Sequence, residues 1–256
     1  LSLENNRITD AGAEILATSK TFSGLKSLNL YRNLITDRGA VRLAESATLG
    51  GLTELNLNYN QIHDEGAIRL ARSPHLPSLE ILGLSYNPLG KDGEEAWHRF
   101  RLMRRLEELH RRNQLGEMGK FIFGDLGVYV LLDSPFAGEL EALDLQGNDL
   151  SDAAVVALAQ SDKLDRLVAL NLSNNNITDV GAKALARSRQ LSQLKKLDLN
   201  YNRIGDEGAI AIAESEPLAN LESLKLGQNV IGNAGAQALA ESKTLTRLAH
   251  PIFGFY

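Results

Sequence analysis

Residue types able to do covalent or metal chemistry are scarce in this chain and poorly spaced for it. Cysteine is absent, which rules out a thiolate nucleophile, a disulfide and a cysteine-based metal site. The five histidines are His63, His75, His98, His110 and His250. They lack metal-ligand spacing and form no H-E-x-x-H pair. Glycine and lysine stand close in "LGEMGKF" without the spacing of a phosphate-binding loop. "GDLGV" at Gly124 is a variant of a "GDEGA" that recurs elsewhere. Of the fourteen aspartates, six sit at one fixed place in a repeating unit: Asp10, Asp37, Asp64, Asp152, Asp179 and Asp206, with Asn233 in the same role. There each side chain is expected to accept bonds from the first free N–H groups of a helix. These residues imply no catalysis, cofactor, metal or small-molecule substrate.

The elements behind this spacing are repeats. "LKSLNLYRNLITDRGAVRLAES", "LTELNLNYNQIHDEGAIRLARS", "LVALNLSNNNITDVGAKALARS" and "LKKLDLNYNRIGDEGAIAIAES" are versions of one unit. One asparagine per unit marks the register, at Asn6, Asn33, Asn60 and Asn87, then at Asn148, Asn175, Asn202 and Asn229, always 27 residues apart within a set. From Asn87 to Asn148 the distance is 61, two units plus seven (2 × 27 + 7). Eight clear repeats therefore flank one altered repeat. In each unit, alternating leucines such as Leu25, Leu28 and Leu30 predict a strand buried on one side. A helix follows, with a Gly-Ala pair and then Leu-Ala, as in Gly181-Ala182 and Leu185-Ala186. Small residues there let the helix lie close to the strand layer. The regular asparagine, with two donors and an acceptor, is suited to satisfy loop backbone between adjacent coils. No unit can bury its leucines alone, so stacking is obligatory.

The L-x-x-L-x-L-x-x-N pattern resembles that of leucine-rich repeat proteins over most of the chain. Its 27-residue period and "GAxxLA" helices are most similar to the ribonuclease-inhibitor-like class, including bacterial GALA-type repeats. The resemblance implies an α/β solenoid with a parallel sheet on a concave side and helices on a convex side. Ribonuclease inhibitor is itself cysteine-rich, which this chain is not. Ran GTPase-activating proteins share the repeat class, but nothing here matches such a role residue by residue. Fold alone does not name a target.

The exposed strand residues are where recognition is expected. One column reads Ser2, Asn29, Asn56, Gly83, Asp144, Asn171, Asp198, Lys225, and the next Glu4, Tyr31, Asn58, Ser85, Gln146, Ser173, Asn200, Gly227. Their charge is weak and mixed, with no basic stripe. Tyr31, Tyr59, Tyr86 and Tyr201 fall at strand ends, and Tyr59 and Tyr86 hold equivalent places in adjacent repeats, so they should stand about 5 Å apart. Tyrosine is favoured in interface hot spots. The candidate protein-binding set comprises these tyrosines with Asn29, Arg32, Glu54, Asn56, Asn58, Ser85, Asp144, Gln146, Asn171, Ser173, Lys196, Asp198, Asn200 and Lys225.

The altered repeat opens with "WHRFRLMRRLEELHRRNQ" at Trp97, which holds six arginines in a chain of net charge −5. Trp97, His98 and Phe100 replace the leucine, alanine and serine of a regular helix slot, as at Leu70, Ala71 and Ser73. A helix from Trp97 to about Arg112 is predicted to bury Leu102, Met103, Leu106 and Leu109. Arg101, Arg104, Arg105 and Arg112 should then be exposed, either as solvated surface or as a docking face for an acidic protein. The basic patch is local, which disfavours nucleic acid.

The organisation read from this is one solenoid over 1–256: regular repeats in 1–96, the altered repeat and its helix in 97–139, regular repeats in 140–247 and a C-terminal edge in 248–256. At that edge Pro251 and Phe253 take leucine places and should shield the last coil. "LSLENN" begins inside a repeat, so the native N-terminus is expected outside this sequence. Composition is that of an ordinary water-soluble domain, 43% hydrophobic and 23% charged. No apolar run is long enough to span a membrane. The absence of cysteine fits a reducing compartment, a bacterial cytoplasm or a host cytosol for an injected protein. The expected function is a protein-interaction module without catalysis of its own. The alternative is a substrate-recognition or regulatory part of a larger ubiquitin ligase, kinase or GTPase-activating protein.

Overall fold

The computed structural model describes residues 1–118 and 123–248, which fall into two compact units, Leu1–Arg105 and Leu106–Tyr256. Pro251 and Phe253, expected to shield the last coil, lie outside the described residues. The first unit runs α1 (Asp10–Thr18), β1 (Ser27–Asn29), α2 (Asp37–Ala44), β2 (Glu54–Asn56), α3 (Asp64–Ala71), β3 (Ile81–Gly83) and the start of α4 (Lys91–Arg111). The second holds the end of α4, then α5 (Gly124–Asp133), β4 (Ala142–Asp144), α6 (Asp152–Gln160), β5 (Ala169–Asn171), α7 (Asp179–Arg187), β6 (Lys196–Asp198), α8 (Asp206–Ala213), β7 (Ser223–Lys225) and α9 (Asn233–Ala240). Strands pair in parallel and in chain order, β1-β2-β3 in one sheet and β4-β5-β6-β7 in the other. Register keeps equivalent residues side by side, Leu28 on Leu55 on Leu82 and Leu143 on Leu170 on Leu197. These leucines are buried, and each contributes about 1.5–3 kcal/mol through lost water contact.

Three ladders tie coil to coil. In the first, the register asparagine serves its neighbour's backbone. Asn60 Oδ1 accepts from Ile35 N at 3.0 Å, while its Nδ2 donates to Leu30 O and Leu57 O at 3.0 and 3.1 Å. Asn175 does the same for Leu150 N, Leu145 O and Leu172 O, each at 3.0 Å, and both asparagines are buried. In the second, a serine beyond the helix crosses to the preceding coil, as Ser188 Oγ does to Ala159 O at 2.5 Å.

The third ladder corrects an expectation. Each aspartate was expected to cap the helix it begins. It instead serves the helix of the next repeat: Asp10 Oδ1 accepts from Thr36 N and Gly39 N at 2.8 and 3.0 Å, and Asp179 Oδ1 from Gly205 N and Gly208 N at 2.7 and 2.9 Å. As the first residue of its own helix, the aspartate sits too far along to cap it. Its carboxylate instead reaches sideways to orphan donors of the neighbouring N-terminus, where a negative charge also opposes the helix dipole. This explains the regular glycine. A Cβ on Gly208 would stand 2.7 Å from Asp179 Oδ1 and 2.7 Å from Ile204 Cγ2, so the aspartate of one repeat requires the glycine of the next.

The altered repeat keeps parts of this scheme. Asp125 Oδ1 still accepts from Ser151 N at 2.8 Å, and Gly116 O takes the strand's place by accepting from Asp144 N at 2.7 Å. α4 begins in the regular slot and then does not stop, running 21 residues. Phe100, where a regular repeat has its serine, is buried, and the Trp97 indole donates to Leu82 O at 2.8 Å. Further along, Leu106 and Leu109 are buried as expected, whereas Leu102 and Met103 are only half-buried. Arg101 and Arg112 are exposed as expected, but Arg104 and Arg105 are half-buried. The guanidinium of Arg104 lies 5.2 Å over the Phe100 ring, because a long arginine stem gains contact by lying along the helix. At the helix's C-terminal end, His110 stacks on Phe136 at 4.2 Å and its Nε2 meets Glu139 Oε2 at 2.8 Å.

Candidate functional site

Every register asparagine is preceded by a residue in the left-handed region. The row reads Asn5 (φ 56°), Arg32 (51°), Tyr59 (57°) and Tyr86 (60°) in the first unit, and Gly147 (66°), Asn174 (56°), Tyr201 (54°) and Gln228 (56°) in the second. The turn swings the next side chain, the asparagine, inward. Glycine and asparagine adopt this conformation readily, while a bulky side chain is strained by about 1–3 kcal/mol. The chain uses the easy residues at Asn5, Gly147 and Asn174 and places tyrosine or arginine at the adjacent positions of the first unit.

Those tyrosines assemble. The Tyr59 and Tyr86 rings stack at 4.1 Å and 14°, closer than the expected 5 Å, and Tyr31 meets Tyr59 edge-on at 5.2 Å and 64°. Tyr86 remains 72% exposed and Tyr59 40%. Desolvation, and then the Tyr86 hydroxyl, raise the Tyr59 phenol above its ordinary value. Tyr201, in the second unit, is 60% exposed.

The strand columns also form as expected within each sheet, but much of their hydrogen-bonding capacity is used internally. In the first unit, Asn29 Oδ1 accepts from Tyr31 N (3.0 Å) and its Nδ2 donates to Glu4 Oε2 (2.8 Å). Asn56 Oδ1 accepts from Asn58 N (3.1 Å), and Asn58 Oδ1 from Ser85 N (2.7 Å). Glu54 Oε2 accepts from Ser27 Oγ at 3.0 Å. In the second unit, Asp144 Oδ1 accepts from Gln146 N (2.9 Å) and Asp198 Oδ1 from Asn200 N (3.0 Å). Asn200 Oδ1 accepts from Gly227 N at 2.7 Å, and Lys225 Nζ pairs with Asp198 Oδ2 at 3.1 Å. Ser173 leaves the candidate set: it is buried, its hydroxyl donating to Asn171 Oδ1 at 2.8 Å. Small Ala142 and Ala169 leave a shallow hollow of about 260 Å³ in this face, bordered by Asp144, Asn171, Lys196 and Lys225.

Two exposed apolar residues of the first unit escaped the sequence reading, Leu34 (42%) and Ile81 (58%). Ile81 shares its strand position with Ser27 and Glu54, so a comparison of columns exposes it as out of pattern. Among the described residues, no three His, Asp or Glu side chains are placed to hold a metal ion, and no helix is long and apolar enough to cross a membrane.

Comparison with known families agrees with the coils just described. A two-copy leucine-rich repeat model matches residues 165–211, and a single leucine-rich repeat model matches 52–71, 140–159 and 218–240. The chain thus carries leucine-rich repeats in both units. No curated protein matches it. Among solved structures, internalin C2 of Listeria monocytogenes is similar at 23% identity, over 97% of this chain and 77% of that one, with a TM-score of 0.32. An internalin (InlF) of the same organism is 20% identical over 100% and 87%, with a TM-score of 0.31.

Proposed function

We propose that this chain is a non-catalytic protein-interaction module that engages its partner through the strand-end tyrosines and the adjoining sheet face of the first unit. The observation that carries this reading is the pair Tyr59 and Tyr86, exposed and stacked, held at left-handed positions where asparagine or glycine would be easier. Strain of that kind persists where the side chain earns its place in recognition. Stacked tyrosines offer large area with few rotors to freeze. Within the same reading the repeats belong to the ribonuclease-inhibitor-like class of GALA type, supported by the glycine-aspartate fit and the "GAxxLA" helices. The setting is a reducing one, bacterial or host cytosol. Asn29, Asn56, Asn58, Ser85 and Glu54 supply the polar surround of the interface. Gln146, Asp144, Asn171, Lys196, Asp198, Asn200, Tyr201 and Lys225 form a second, more charged face. The α4 arginines stand outside it: Arg112 is held by Glu108 at 2.7 Å, and Arg101 lies 5.4 Å over Trp97.

A photo-crosslinking residue at Ser85 should capture a partner that the same residue at Arg69, exposed on α3, does not. Tyr59→Ala with Tyr86→Ala should weaken the captured partner's affinity at least about thirtyfold with melting nearly unchanged. Equal capture at both places, or affinity within error of the parent, refutes the tyrosine site.

A further inference from the structure

We infer that the row Arg32, Tyr59 and Tyr86 takes an extended segment of a partner protein that carries a carboxylate and, three positions on, an aromatic or large aliphatic side chain. The inference rests on the protein-binding reading above and adds the partner's chemistry. Arg32, Tyr59 and Tyr86 are equivalent residues of successive coils, each left-handed and each directly before a register asparagine. Parallel neighbours stand about 4.8 Å apart, so Arg32 to Tyr86 spans about 10 Å, close to one three-residue turn of extended chain in the polyproline II form, which returns side chains three positions apart to the same face.

Charge selects the acid. Arg32 is exposed and forms no ion pair with a described carboxylate, and the same holds for Arg7 one coil earlier, two positions past the left-handed Asn5. Glu4 and Glu54 bond the neutral side chains of Asn29 and Ser27, which leaves the guanidinium of Arg32 to a partner's carboxylate, and a guanidinium grips a carboxylate with two parallel bonds. The rings select the apolar group. One face of Tyr86 lies on Tyr59, and the side chain is 72% exposed. α4 lays its own guanidinium groups over Trp97 and Phe100, whereas no described cation covers Tyr86. Leu34, two residues beyond Arg32 and 42% exposed, widens the apolar border. Arginine and tyrosine in one row match the composition of protein hot spots. Stacked aromatics with an arginine could also hold single-stranded nucleic acid, but the two open arginines continue into no basic track along the sheet.

The test uses the full chain and fluorescein-labelled peptides of about eight residues with blocked ends. One has Asp and Phe three positions apart, one has Lys for the Asp, and one has Ala for the Phe; a labelled oligothymidine is the fourth probe. By fluorescence anisotropy the Asp–Phe peptide should bind at least about tenfold more tightly than the others. Arg32→Glu should remove that preference and turn it toward the Lys–Phe peptide, with an unchanged melting temperature. Tyr86→Ala should weaken the Asp–Phe and Lys–Phe peptides alike. No binding of the Asp–Phe peptide, equal binding of the Lys–Phe peptide or oligothymidine, or indifference to Arg32→Glu overturns the inference. If crosslinking at Ser85 still depends on the tyrosines, that failure is confined to the partner's chemistry; if crosslinking fails too, the site itself is wrong.

Discussion

The two units are built on the same ladders and carry different faces. Beneath the surface, Asn60 and Asn175 make corresponding bonds to corresponding backbone groups, and Asp37 and Asp179 serve the next helix in the same way. Above it, the left-handed row of the first unit runs Asn5, Arg32, Tyr59 and Tyr86, with its two tyrosines adjacent, and that of the second runs Gly147, Asn174, Tyr201 and Gln228, with a single tyrosine. The second unit instead shows Asp144, Lys196, Asp198 and Lys225 on its sheet, where equivalent places of the first are mostly neutral. A stacked array separates the two tasks: buried rows are constrained to repeat because each coil satisfies its neighbour, while exposed rows are free to diverge. Recognition should therefore be sought in departures between the units.

The largest effect tests the shared layer. Asn60→Ala and Asn175→Ala should each destabilise by about 1–3 kcal/mol, since both strand buried backbone donors and acceptors. Denaturant melts that show one costing several times the other would break the equivalence of the ladders. Two separate transitions, each moved by only one substitution, would show that the units unfold independently.

How far the sequence spoke of this layer varied by residue. The asparagine ladder was legible because only a side chain with donors and an acceptor suits a buried, regularly spaced loop position. For the aspartates it showed which residue acts but not on which helix. The offset from Asp10 to Gly39 is one repeat plus two, and one sequence cannot distinguish a cap within a coil from a cap between coils. The left-handed row was hidden because tyrosine masks a conformation that Asn5, Gly147 and Asn174 hint at. In α4 the amphipathic pattern was visible. The half-burial of Arg104 and Arg105 was not, since arginine type says nothing about where its stem lies.

α4 gives the next, smaller effect. Replacing Arg101, Arg104, Arg105 and Arg112 together by glutamine should destabilise by about 1 kcal/mol, through loss of ring contacts such as that of Arg104 on Phe100. Arg112, exposed and paired with Glu108, should contribute little of it. If the variant melts like the parent but binds partner more weakly and with less salt dependence, α4 belongs to the interface and recognition does not divide along the two faces.

The smallest effect is the most specific, and it exchanges residues between the two faces. Tyr86→Asn should stabilise the fold by about 0.5–1 kcal/mol, because asparagine tolerates a φ near 60° that strains tyrosine. Asn174→Tyr, the reverse change at the equivalent place of the second unit, should destabilise by a similar amount. The gain at position 86 is reduced by whatever stacking on Tyr59 had contributed, so its sign measures which is larger, the strain or the stack. A clear rise in melting temperature with loss of partner binding would mean that the first unit keeps tyrosine against the interest of its own stability. A fall would mean that the stack repays the strain within the free protein. The tyrosines would then be a structural edge of the first unit, and the contrast between the faces would no longer point to a binding site.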